Sequence, residues 1–107
     1  MAAYFIAQYQ VNDAALYAEY GAGAGPTLAK YGAELVVLDV AAETMEGEAP
    51  GAQTVIIKFE STEAAKTWYH SEDYQAVVSK RLAATNGYAV LSQSMNLGSA
   101  CSRVAAE

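Results

Sequence analysis

Two short runs, Glu34 to Val40 (ELVVLDV) and Thr54 to Phe59 (TVIIKF), constrain the fold more than any other feature of this chain. Both are β-branched, of strand length, and apolar at consecutive positions instead of alternate ones. A strand sends successive side chains to opposite faces. Val36 and Leu38 are therefore expected to lie opposite Leu35 and Val37, and Ile56 opposite Val55 and Ile57. Strands of this kind need cover on both sides. How much helix the rest of the chain supplies then decides what that cover is.

Ala3 to Val11 (AYFIAQYQV) alternates in part, with Phe5, Ala7 and Tyr9 on one side and Tyr4, Ile6 and Gln8 on the other, and is expected to be a first strand. Asn12 is a favoured helix N-cap and Asp13 suits the positive end of the dipole, so a helix is expected from about Asp13, carrying Leu16, Tyr20 and Ala24. GAGAGP, Gly21 to Pro26, predicts a break or kink, because glycine costs about 1 kcal/mol in a helix interior and proline removes a donor. Pro26 then starts a renewed turn that Gly32 ends. After the two apolar strands, separated by the loop AAETMEGEAPGAQ, Ser61 and Ser71 each cap a helical piece, and the two pieces meet near His70. Asn86-Gly87 predicts a turn, and Tyr88 to Ser94 a last strand.

The resulting order, β-α-β-β-α-β, is that of the ferredoxin-like split βαβ arrangement: an α+β fold with a four-stranded antiparallel sheet. Right-handed crossovers place both helical layers on one face. The other face is left bare, and an apolar patch of more than a few hundred Å² is unusual on a soluble monomer. A second copy of the sheet, packed about a two-fold axis, is the simplest cover, so the expected partner is the chain itself.

Residues 1–94 are expected to form this one domain, and residues 95–107 an irregular tail or a short added strand. With 53% hydrophobic and 17% charged residues, the chain of 107 residues lies far from the composition of disorder. Twelve acidic against six basic residues give a net charge of −6, which disfavours nucleic acid and anionic membrane surfaces as partners. No apolar run approaches the ~20 residues of a membrane span, and MAAYFIAQYQ lacks the charged start of a signal peptide, so cytoplasm is the expected location. A lone Cys101 and a single histidine offer no zinc spacing, and no metal or cofactor is expected.

The segments YGAGAGPTLAKYGAELVV (20–37), ETMEG (43–47) and VIIKFESTEAAKTWYHSEDYQAVVSKRLAATNGYAVL (55–91) resemble the uncharacterised DUF1330 family, over roughly Ala3 to Ser94. Its most specific marks here are Pro26-Thr27, Tyr31-Gly32, Glu46-Gly47, and Phe59 followed by Ser61, Ala65, Trp68-Tyr69, Ser71, Tyr74 and Arg81. The resemblance implies the dimeric α+β barrel superfamily and a homodimer; it implies no reaction. Members usually carry an arginine and a glycine late in the second strand, where this chain has Leu38 and Asp39, so no anion-binding role of that arginine carries over. The wider superfamily includes cofactor-independent monooxygenases, lactone isomerases, haem-dependent enzymes and non-enzymatic ligand sensors, which leaves function open.

Eight tyrosines and one tryptophan are the unusual part of the composition. Tyr17, Tyr20, Trp68, Tyr69 and Tyr74 fall on the helices that face the sheet, where such residues either fill the core or line a pocket for a flat, apolar ligand. His70 titrates near neutrality and is a candidate general base, against the reading of a solvent-facing turn residue. Haem ligation by His70 would require it to face a large apolar cavity. Asp39, a carboxylate ending an apolar strand, is either a base with a raised pKa or an edge residue, and a cross-strand pair with Lys58 is its expected structural role. Arg81 either clamps a ligand carboxylate or bridges to Glu63, Glu72 or Asp73 on the surface, and the bridge is the expectation. GAGAGP is no phosphate loop, since it lacks the following Lys-Ser/Thr and interrupts a helix. The functional expectation is a homodimeric protein that binds a small apolar or aromatic metabolite, either as a cofactor-independent enzyme of monooxygenase or isomerase type or as a non-catalytic sensing or assembly module.

Overall fold

The structure, a computed structural model, describes residues 1–95. The expected tail beyond Met95, with Cys101, lies outside the described residues. The elements are β1 (Ala3–Val11), α1 (Ala14–Lys30), β2 (Glu34–Asp39), β3 (Gln53–Phe59), α2 (Thr62–Tyr69), α3 (Glu72–Ala84) and β4 (Thr85–Gln93). All sheet pairings are antiparallel and the strand order is β2-β3-β1-β4. This is the ferredoxin-like, split-βαβ α+β fold that the element order predicts.

Capping follows the sequence closely at α2 and α3, where Ser61 and Ser71 accept hydrogen bonds from the backbone N–H groups of Ala64 and Tyr74. At α1 the cap is Asp13 instead of Asn12, accepting from the Leu16 N–H at 3.0 Å. Gly32, at φ 69°, ends α1 as expected: its N–H bonds the Ala29 carbonyl and the Ala33 N–H bonds the Leu28 carbonyl, the paired pattern of a glycine-terminated helix.

Three expectations about the course of the chain fail, each for a tertiary reason. The break at Gly21 to Pro26 does not occur, and α1 runs unbroken through Pro26. Ala22 and Pro26 are both exposed, so water can satisfy the carbonyl that the proline leaves unbonded, while packing on α3 holds the turns on either side. Asn86-Gly87 is no turn but the start of β4, which follows α3 directly. Gly87 pairs with Tyr9, and a Cβ there would lie 2.2 Å from the Gln8 carbonyl oxygen, so the glycine serves a close approach between strands. Finally, β2 does not alternate cleanly. A bulge between Leu35 and Val37 leaves Val36 unpaired, so Leu35 and Leu38 both stand on the helix-covered face, opposite Ile57 and Val55, while Val37 joins Ile56 on the bare face.

The helix-covered face carries the core: Phe5, Tyr9, Val55, Ile57 and Phe59 from the sheet meet Trp68, Tyr74 and Val78 from α2 and α3. On the bare face the middle rung reads Val37, Ile56, Ile6, Val90 across all four strands. Polar rungs flank it, with Asp39, Thr54, Gln8 and Tyr88 on one side and Glu34, Lys58, Tyr4 and Ser92 on the other. That face is therefore an apolar stripe between polar borders, narrower than the strand sequences alone predict. The proposed Asp39–Lys58 pair does not form, because the register puts Lys58 against Glu34 and Asp39 against Thr54.

Candidate functional site

Between α1 and β2, on the helix-covered face, lies a hollow of about 220 Å³. Leu35, Leu38, Val55 and Ile57 form its floor, and Tyr17, Tyr20, Gly21, Ala24, Gly25 and Leu28 its roof, with Tyr9 closing one side. The bulge in β2 matters here, since it turns both leucines into the hollow. Leu35 and Leu38 are nonetheless 46% and 59% exposed, because α1 does not reach down to them.

The glycines of α1 divide into two kinds. A Cβ at Gly23 would come within 2.6 Å of a Val77 methyl, so that glycine lets α1 pack closely on α3. At Gly21 and Gly25 a Cβ would meet nothing within 4 Å. Those two sit one turn apart on the face that lines the hollow, and packing gives no reason for them.

The polar equipment of the hollow is phenolic. The hydroxyls of Tyr9 and Tyr17 are 2.8 Å apart, and those of Tyr20 and Tyr74 are also 2.8 Å apart. A pair of hydroxyls that share one hydrogen bond still has one O–H to donate and lone pairs to accept with. Burial first, and the hydrogen bond to Tyr17 second, push the Tyr9 phenol far above the ordinary tyrosine range. Burial likewise raises Tyr20 and Tyr74, in each case as the largest cause. These phenols stay protonated, and act as hydrogen-bond donors and acceptors instead of bases.

The structure scatters the remaining candidates. Trp68 and Tyr74 are fully buried and pack ring to ring at 4.0 Å, and the Trp68 indole N–H donates to Thr27 Oγ1 at 2.9 Å, so both belong to the filled core. Asp39 is exposed at the end of β2 and on the bare face; it accepts from the Ala41 N–H at 2.8 Å, which is edge-residue chemistry. His70 is the exposed C-cap of α2, edge-on to the Tyr69 ring at 5.2 Å, and does not approach Asp39's face of the sheet. With Lys66, Phe5 and Tyr69, it borders a second hollow of about 220 Å³ between α2 and β4, small for a haem.

Arg81 departs furthest from expectation. It forms no surface bridge: it is 5% exposed, its guanidinium stands 5.7 Å from the centroid of the Tyr9 ring, and its Nε has no hydrogen-bond partner among the described residues. Burial, the largest influence, works against its charge, and the phenols of Tyr74, Tyr20, Tyr9 and Tyr69 around it work the other way.

Sequence reasoning missed Tyr9, Gly21, Gly25, Leu35 and Leu38 as site residues. Tyr9 was visible as a core-side residue of β1 through its alternation with Phe5 and Ala7, while nothing local marks a β2 bulge. Among the described residues no group of three or more His, Cys, Asp or Glu gathers to hold a metal ion, and no helix is long and apolar enough to cross a membrane.

Three solved structures place the fold among known proteins. A protein of unknown function from Rhodopseudomonas palustris, RPA0582, superposes with a TM-score of 0.74 at 17% identity, covering 89% of this chain and 83% of that one. SnoaB, a cofactor-independent oxygenase from Streptomyces nogalater, matches with a TM-score of 0.62 at 11% identity over 89% of this chain and 94% of its own. HapK from Hahella chejuensis matches with a TM-score of 0.57 at 14% identity over 90% and 95%. At these identities the likeness is one of fold alone. No curated protein matches the sequence. Residues 2–95 match the model of a domain of unknown function, and the chain belongs to that family, DUF1330.

Proposed function

We propose that this protein is a homodimer that binds a small apolar or aromatic molecule in the hollow between α1 and β2. One observation carries the reading: α1 keeps glycine at Gly21 and Gly25, where alanine would fit without a clash. Each glycine costs the helix about 1 kcal/mol relative to alanine. Two such losses, side by side on the lining of a hollow, are accounted for by a ligand that needs the space. A cavity of about 150 Å³ holds benzene, so about 220 Å³ suits a molecule of one ring. The free O–H of the Tyr9–Tyr17 pair then selects for a carbonyl or hydroxyl oxygen on that ring.

Self-association follows from the bare face. Its apolar rung with polar borders has the anatomy of an interface, a hydrophobic core within a hydrophilic rim, and Val90 and Tyr88 are 48% and 49% exposed in the single chain. A two-fold axis through that stripe sets the rung against its own copy.

A second reading makes the bound molecule a substrate for cofactor-independent oxygenation or isomerisation. SnoaB is described as an enzyme of the first kind, and the Tyr9–Tyr17 donor suits stabilisation of a developing oxyanion. The scattering of His70 and Asp39 favours binding without turnover, as in a ligand sensor.

A thermal-shift screen of single-ring aromatic and lactone compounds tests the site. A native-state ligand at about 100 times its Kd adds roughly 2.7 kcal/mol of stability. The rise is expected for the native chain and lost in Gly25→Leu, which plugs the hollow. Absence of any shift across the screen would sink the proposal. Should a ligand emerge, Tyr17→Phe separates the two readings, because an enzyme loses turnover while a sensor only loses part of its affinity. Sedimentation at micromolar concentration tests the dimer, and a single-chain particle would rule it out.

A further inference from the structure

Among the described residues Arg81 is a buried cation without a buried anion. Among the described residues the ion pairs are Lys30–Asp73 and Lys80–Glu19, both on the surface, and neither involves it. A charge removed from water and left unpaired destabilises a fold unless something else holds it there. The Tyr9 ring face and the Tyr74 phenol offset part of that loss, yet Nε stays without a partner.

The side chain borders a cleft of about 290 Å³ between α3 and the start of β4, with Tyr9, Tyr69, Thr85 and Asn86 among its walls. This cleft and the hollow beside His70 share Tyr69 and Ala89 as walls, so the two lie side by side between β4 and the helices α2 and α3. Arg81 borders the cleft and Lys66 the hollow, with the Tyr69 ring common to both. The chain has twelve acidic and six basic residues, yet no Asp or Glu lines either part. A groove with that charge and an aromatic waist fits a flat organic acid.

We propose that this groove, separate from the hollow under α1, binds a small aromatic carboxylate, with Arg81 holding the carboxylate and Tyr69 stacking against the ring. A guanidinium presents a planar fork that matches a carboxylate, and a bound carboxylate would complete the pairing that the chain itself leaves open.

The test is an amide chemical-shift titration of the native protein with benzoate, with benzamide, and with inorganic phosphate, at constant ionic strength. Benzoate should move the Tyr69, Gly87 and Ala89 amides and bind about tenfold or more tightly than benzamide, the difference expected of one charge-assisted hydrogen bond. Equal affinity for the two, or benzoate shifts that map to Gly21 and Gly25 instead, would overturn the assignment. Phosphate that moves these amides while benzoate does not would reduce the groove to a site for inorganic anions and overturn it too. Arg81→Met keeps the bulk and removes the charge; it should abolish the benzoate response and leave the ligand-free melting temperature unchanged or higher. A fall of more than about 5 °C would make Arg81 a structural residue and contradict the proposal.

Discussion

One face of one sheet carries two contrasting regions. Around Trp68 it is filled: Phe5 and Phe59 pack against the indole at centroid distances of 5.3 and 5.2 Å, Tyr74 lies against it, and Thr27 satisfies the indole N–H. Under the middle of α1 it is open: two glycines face two half-exposed leucines across space that side chains of this same helix could fill. The first region shows what this chain does where stability is served. In the second it stops short of close packing at positions where a single methyl would fit, and the proposed ligand site rests on that difference.

The contrast can be tested at four strengths. Trp68→Ala removes the centre of the filled region and should cost about 3–5 kcal/mol by chemical denaturation. A loss under 1 kcal/mol would mean that this region too is loosely packed. Gly23→Ala drives a methyl into Val77, whose β-branched side chain has little freedom to turn away in a helix. Set against a helix gain of about 1 kcal/mol, the clash of about 1–3 kcal/mol leaves an expected net loss of up to about 2 kcal/mol in the same measurement. Gly25→Ala, only two residues on, should instead stabilise by about 0.5–1 kcal/mol while weakening any ligand of the hollow. Opposite signs at Gly23 and Gly25 would establish the two classes of glycine, and equal signs would erase the distinction. Lys30→Ala removes the exposed ion pair to Asp73 between α1 and α3 and should change stability by less than about 0.5 kcal/mol. A larger loss would show that α1 is held in place by its surface contacts and not by the core.

Legibility differed residue by residue. Ser61, Ser71 and Gly32 announce helix ends through chemistry that acts within a few residues, and each was found in its expected place. Tyr17 and Tyr20 were recognisable as pocket-or-core residues, but the choice between those roles depends on what stands across from them: Tyr20 is bonded to buried Tyr74, and Tyr17 reaches Tyr9 at the edge of the hollow. Arg81 looked like a surface residue because the sequence around it, SKRLAA, is that of an exposed helical face. Its burial comes from the approach of Tyr9 on β1, more than seventy residues away. Gly87 departs from its local signal for a similar cause, since asparagine-glycine marks a turn only if no neighbouring strand needs the missing Cβ.

From the sequence alone came the element order, the caps of α2 and α3, the glycine that ends α1, the antiparallel α+β topology and the presence of two apolar strand faces. These depend on periodicity and on interactions between near neighbours. The tertiary structure alone decided that α1 continues through Pro26, that a bulge turns Leu35 and Leu38 to the same side, and that the helix glycines divide into one that packs and two that leave space. Each of those depends on a partner distant in the chain, and local chemistry carries no record of which residues will meet across a sheet or between helices.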